Sequence, residues 1–256
     1  MSRLAPARLG TLALVAVALT APREVRAQSI AITGATVHPV GAAPIENGTV
    51  LIRDGRIVAV GADVTIPAGA RRIDARGKVV TPGLIHASSE LGLLEVGSIP
   101  ATNERASAGD VTASFDVAEG IDPGSVRIPI ARTEGVTSAI ALPTGGIFSG
   151  QAALIALSGT RMESMLRVRD AAMAGDFADA LKAAGGGSHA AGLARVRRIL
   201  EDARDYDRRR ADYRRADMQD LSAPASELEA LLPVLRGTLP LYVAANAERD
   251  IRNAVR

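Results

Sequence analysis

Runs of β-branched and apolar residues dominate the first third of the chain. Thr49-Val50-Leu51-Ile52-Arg53 and Arg56-Ile57-Val58-Ala59-Val60 stand on either side of Asp54-Gly55. Asp-Gly between two such runs predicts a two-residue hairpin, because glycine accepts the positive φ of a type I′ turn. Arg71-Arg72-Ile73-Asp74 and Lys78-Val79-Val80 repeat the arrangement around Ala75-Arg76-Gly77. Residues 28 to 80 therefore read as a small β segment. From Pro82 the pattern changes. Leu84-Ile85-His86-Ala87 predicts a short buried strand, Val136 to Leu142 a second, and Ala152 to Leu157 a third.

Residues 93 to 125, rich in Gly, Ser, Asn and Asp, predict a long loop. Loops of more than ~12–15 residues in compact domains are usually functional or disordered. Helices are predicted over Arg161 to Ala174 and Asp176 to Ala184, separated by Gly175. Another is predicted over Gly192 to Leu221, where Val196, Ile199, Leu200, Ala203, Tyr206 and Tyr213 recur at helical spacing. Ser226 to Leu235 predicts a helix capped at Ser222 or Ser226. Thr238 to Asn246 reads as turn and strand, and Ala247 to Arg256 as the start of a further helix with no stop signal.

The N-terminus carries a different signal. Arg3 and Arg8 precede a short apolar run from Leu9 to Ala21, and Val25-Arg26-Ala27 places small residues where signal peptidase requires them. This order predicts a signal peptide over residues 1–27, a mature chain beginning at Gln28, and a periplasmic or secreted destination. The apolar run is shorter than the ~20 residues a bilayer-spanning helix needs, so no membrane association is expected after signal removal.

Charge then excludes one class of partner. The formal charge is +2, but the leading 27 residues hold Arg3, Arg8, Arg23 and Arg26 against Glu24, which is +3; the remainder stands near −1. The basic character that would suggest nucleic acid leaves with the leader. There is no cysteine, so neither a disulfide nor a thiolate ligand or nucleophile exists. Arg208-Arg209-Arg210 and Arg214-Arg215 could form an anion-binding surface. Interleaved acids, such as Asp205 four residues before Arg209, predict instead a solvated face laced with ion pairs.

Candidate chemistry lies in the segment Val79-Val80-Thr81-Pro82-Gly83-Leu84-Ile85-His86-Ala87-Ser88-Ser89-Glu90-Leu91-Gly92-Leu93. It resembles the first barrel strand of the metal-dependent amidohydrolase superfamily, especially its imidazolonepropionase-like branch. Residues Gly48 to Gly61 and Ile66 to Ile85 also resemble that family. The resemblance implies an α/β fold: a partial β-sandwich (28–80) followed by an incomplete TIM-like barrel (81–256). A full barrel takes ~250 residues, and 176 follow residue 80. It also implies hydrolysis of non-peptide C–N bonds, with zinc or another divalent ion activating a water.

The two metal-binding histidines of the family's H-x-H fall on Ser88 and Glu90, and its preceding aspartate on His86. Alternation along a strand keeps His86, Ser88 and Glu90 on one face, so His86 and Glu90 are weak candidate ligands. Pro240-Leu241-Tyr242-Val243-Ala244-Ala245-Asn246 resembles a second family segment, in which the histidine position is Ala244 and Asn246, Asp250 and Ile251 match. Zinc normally takes three or four good ligands, so no cofactor is expected in this chain. No catalytic residue can be assigned.

Pro143 to Gln151 resembles the family's glycine-rich loop and predicts a tight turn at the barrel rim, with room for ligand contact. Glu95, Asn103 and Glu104 are candidate polar contacts; His38 is read as structural or exposed, and His189 as solvated. The leading expectation is an exported amidohydrolase-like protein with its key ligands replaced, acting on a small-molecule substrate. The alternative is a metal-free binding relative, or an inactive truncated product. Strand edges left unpaired by an incomplete barrel predict self-association.

Overall fold

The computed structural model describes residues 29–106, 108–217 and 219–255. The expected signal peptide therefore lies outside the described residues. No helix among them is long and apolar enough to cross a membrane. The chain divides into two compact units, one ending at Pro82 and the other beginning at Gly83.

The first unit is one mixed sheet. Strand β1 (Ser29–Val37) pairs antiparallel with β2 (Ile45–Arg53), which pairs antiparallel with β3 (Arg56–Gly61). The β2–β3 turn is the expected one: Asp54 and Gly55 both have positive φ, 51° and 73°. Strands β4 (Arg71–Asp74) and β5 (Val79–Val80) do not form the second hairpin that the repeat suggested. Both run parallel to β1, pairing in succession with Ile30–Thr33 and Thr36–Val37. The irregularity in β1 between Thr33 and Ala35 separates the two pairings. A hydrogen bond from Thr36 N–H to the Lys78 carbonyl (3.0 Å) holds the connection. Ala35, Val37, Val50 and Ala75 form this unit's small core.

The second unit is a five-stranded sheet with helices. Its strands are β6 (Leu84–Ser89), β7 (Val136–Ala141), β8 (Phe148–Ala156), β9 (Leu166–Asp176) and β10 (Leu241–Ala244), in the order β10-β9-β8-β7-β6. β6 is parallel to β7, and β9 to β10; β8 runs against both of its neighbours. Four strands thus share one direction, the arrangement of a partial barrel. The helices are α1 (Arg127–Thr133), α2 (Met162–Met165), α3 (Asp179–Ala184), α4 (His189–Arg208), α5 (Arg210–Arg214), α6 (Ala225–Leu235) and α7 (Glu248–Ala254).

Two expectations are overturned here. Arg161 to Ala174 is not a helix: after the single turn α2, the chain enters β9. Its alanines and methionine favour a helix in isolation, but Ala172, Met173 and Ala174 are buried by pairing with β8 and β10, and tertiary pairing outweighs local propensity. The strand at 84–87 is not buried; it is an outer strand, with Leu84 and Ile85 57% and 65% exposed. The long loop over 93–125 is present as expected, and it is packed. Leu91, Leu93, Val117, Ala118 and Ile121 pack with Ile128 of α1 against Ala139, Ala153 and Ile155. Two 3₁₀ turns, Pro100–Thr102 and Val117–Gly120, give the segment its shape.

The main core joins Ile147, Phe148 and Met173 to Ile199 and Ala203 of α4 and to Leu228, Leu231 and Leu232 of α6. The predicted long helix ends at Arg208 rather than Leu221, with α5 a separate short piece. Pro224 stands at the start of α6, and neither serine caps it. The charged face of α4 and α5 is laced with ion pairs. Asp205 pairs with Arg208 rather than Arg209, which meets Asp212 at 3.0 Å. Arg210 reaches Glu229 and Asp207.

Candidate functional site

A cleft of about 190 Å³ lies at the ends of the co-directional strands of the second unit. Barrel enzymes place their sites at the C-terminal ends of parallel strands. Here β6 ends at Ser89, β7 at Ala141, β9 at Asp176 and β10 at Ala244. From these ends Ser88, Ser89 and Glu90 line one side, Leu142 to Gly145 a second, and Asp176, Tyr242 and Ala244 a third. Drug-sized ligand pockets run ~300–1,000 Å³, so the cleft suits only a small molecule or part of one.

Three positions singled out from the sequence meet in this cleft: Ser88, Glu90 and Ala244. Glu90 and Ala244 are 154 residues apart, and they meet because β6 and β10 run in the same direction and both end at the cleft. His86 does not line the cleft; it is exposed on β6. Glu95, Asn103 and Glu104 do not line it either. The Asn103 Oδ1 instead accepts the Arg105 N–H at 3.2 Å.

Ser89 is buried, and its hydroxyl accepts the Leu91 N–H at 3.0 Å. This bond turns the chain out of β6. Glu90 follows, half-buried, and two arginines take up its carboxylate. Arg105 pairs with Oε1, and the Arg127 Nη1 lies 3.8 Å from Oε2.

Asp176 was missed by the sequence reading, which placed it at the start of a helix. Its Oδ1 accepts the N–H groups of Ala178 (2.7 Å) and Asp179 (3.0 Å) and so fixes the turn from β9 into α3. The readable signal was a polar residue directly after an apolar run, once that run is taken as a strand.

The loop from Pro143 to Gln151 forms the expected tight turn. Gly145 and Gly146 have φ of 95° and 75°. The Ile147 N–H donates to the Asp110 carbonyl at 2.7 Å, and the Gln151 Nε2 donates to the Ala113 carbonyl at 3.3 Å. Leu142 to Gly145 and Ser149 reach the cleft.

Below the β10 end, Asp250 is 2% exposed. Its burial opposes ionisation, but hydrogen bonds from the Arg249 guanidinium and the Asn246 and Ala247 N–H groups outweigh that, and hold the carboxyl below the usual range. His189 is not solvated as the glycine-rich break suggested. Its side chain is only 17% exposed, with Nε2 3.5 Å from the Asp250 Oδ1 and 3.2 Å from the Arg249 Nη2. His38 is exposed just after β1.

The donor set does not fit a zinc ion. The groups in the cleft are hydroxyls and the carboxylates of Glu90 and Asp176, both already engaged by protein donors, with no imidazole among them. Among the described residues no three His, Cys, Asp or Glu side chains gather as a metal would require.

No family model matches the chain. Over 63 residues, 23% of this chain, it is 48% identical to a 5-methylthioadenosine/S-adenosylhomocysteine deaminase of Symbiobacterium thermophilum. Over 60 residues, 22% of this chain, it is 45% identical to an imidazolonepropionase of Klebsiella pneumoniae. It spans 14% and 15% of the lengths of these two relatives. Among solved structures, an amidohydrolase from Thermotoga maritima superposes with a TM-score of 0.74 at 23% identity, covering 89% of this chain and 61% of that one. The chain thus has the fold of an amidohydrolase, and about 60 of its residues resemble the two curated enzymes in sequence.

Proposed function

We propose that this is an exported amidohydrolase-like protein, descended from hydrolases of non-peptide C–N bonds, whose strand-end cleft binds a small polar molecule without a metal. One observation carries the reading. The two positions that hold the family's metal-binding histidines are Ser88 and Glu90, and the Glu90 carboxylate is taken up by Arg105 and Arg127. A hydroxyl is a poor zinc ligand, and a carboxylate already neutralised by a guanidinium binds a cation only by giving that partner up. Export rests on the leader over residues 1–27, with Gln28 as the first mature residue. N-terminal sequencing of the protein recovered from the periplasm or medium checks this, and a chain retaining Met1 there refutes it.

The competing reading is a working metal-dependent hydrolase. Elemental analysis of the purified chain after mild dialysis separates the two. Well below one equivalent of zinc is expected. One tightly held ion per chain overturns the metal-free reading and makes Glu90 a ligand in the cleft.

A further inference from the structure

We propose that Glu90 is a positioning residue: it holds the Arg105 guanidinium as its counter-ion, and through Arg105 it fixes the wall of the cleft formed by Leu142 to Gly145. The inference rests on the metal-free reading and goes beyond it, because it gives Glu90 a task of its own.

The chain of contacts is short. Glu90 is the first residue after β6 and lines the cleft. Its Oε1 pairs with the Arg105 Nη1. Arg105 in turn accepts the Thr144 N–H on its backbone carbonyl at 2.8 Å, and the next residue, Ala106, bridges to Thr144. Thr144 belongs to the opposite wall. A side chain at the end of one strand thus sets the backbone of the segment that follows the next strand.

Arg127 braces the same corner. Its Nη1 lies 3.8 Å from the Glu90 Oε2 and donates to the Leu94 carbonyl at 2.8 Å. The Arg105 and Glu90 side chains are only 28% and 37% exposed, so water screens the pair less than it would on an open surface. The Arg105 Nε is buried and has no protein partner. Removing the Glu90 charge would leave the guanidinium still poorer in partners. Residues 103–106 would then move to hydrate it and release Thr144.

Amide hydrogen exchange on the full chain reads this directly. In Glu90→Gln the Thr144 amide is expected to exchange at least about fivefold faster, the scale of a part-buried ion pair. The amides of Ile199 in α4 and of Ile52 in β2 should keep their rates. Arg105→Gln should give the same local change, and the double variant should be no worse than either single one, as coupled partners require. An unchanged Thr144 rate in Glu90→Gln, or additive effects in the double variant, overturns the proposal.

Zinc chloride added to the unaltered chain separates this failure from that of the metal-free reading. Stoichiometric uptake with a shift in Thr144 exchange that Glu90→Gln abolishes would make Glu90 a ligand and overturn both. No uptake, together with an unchanged Thr144 rate in Glu90→Gln, overturns the positioning role alone.

Discussion

Gly146→Ala should clearly destabilise the second unit. The residue has φ of 75°, and a side chain in that region costs ~1–2 kcal/mol. A Cβ built there would also lie 2.7 Å from each of two backbone carbonyl oxygens, those of Gly109 and Asp110. Neither is the free end of a flexible side chain, so the backbone itself must shift. That shift threatens the 2.7 Å bond from Ile147 N–H to the Asp110 carbonyl and the seat of Phe148, a fully buried core residue. Overpacking of this kind costs ~1–3 kcal/mol, for a total of ~2–5 kcal/mol. Gly237→Ala is the matched control. Its φ is 70°, and nothing lies within 4 Å of the added Cβ, so it should carry only the conformational cost of ~1–2 kcal/mol. Urea unfolding followed by circular dichroism compares the two in one unit. With slopes of ~1–3 kcal/mol per molar urea, Gly146→Ala should unfold at clearly lower denaturant than Gly237→Ala. Equal midpoints would refute the steric argument and with it the close approach of the 109–110 backbone to this turn.

Two further outcomes follow from charge and from exposed edges. The Asp250 carboxyl sits below its usual range in the folded chain. Its stabilising contribution is therefore complete above the unfolded value of ~3.9 and is lost as pH falls through the lower folded value. Asp250→Asn should be less stable than the unaltered chain at pH 7, with the gap narrowing at pH 3; a gap of constant size would refute the assignment. Leu84 and Ile85 on the outer strand β6, and Ile57, Val58 and Val60 on β3, are exposed. Apolar outer strands template association, so light scattering of the purified chain should show oligomers, and a monodisperse monomer would refute this.

Local chemistry alone determined much of the first unit and the ends of the second. The Asp54-Gly55 hairpin was legible because its turn needs only two residues of the right backbone freedom. Strands β7 and β10 and helices α6 and α7 were legible because each is a single periodic run. The motif around residues 79–93 marked Ser88 and Glu90, and the segment 240–246 marked Ala244. That all three line one cleft could not be read, because it depends on β6 and β10 ending on the same side of a sheet whose other members lie between them.

The tertiary structure alone decided β9. An alanine-rich run is a good helix in isolation and becomes a strand only when β8 and β10 supply partners. It also decided the parallel pairing of β4 and β5 with β1, since a local repeat does not say which strand will receive it. Asp176 became visible as a cleft residue only with the strand that ends on it. The partners of Glu90 stayed hidden for the same reason: Arg105 lies 15 residues further on, in a stretch that reads as loop and packs because Leu91, Leu93, Val117 and Ile121 find a sheet to cover, and Arg127 lies 37 residues on, at the start of α1. Hydrophobic burial is non-directional, so the sequence states that such residues will be covered, and only the assembled sheet states where.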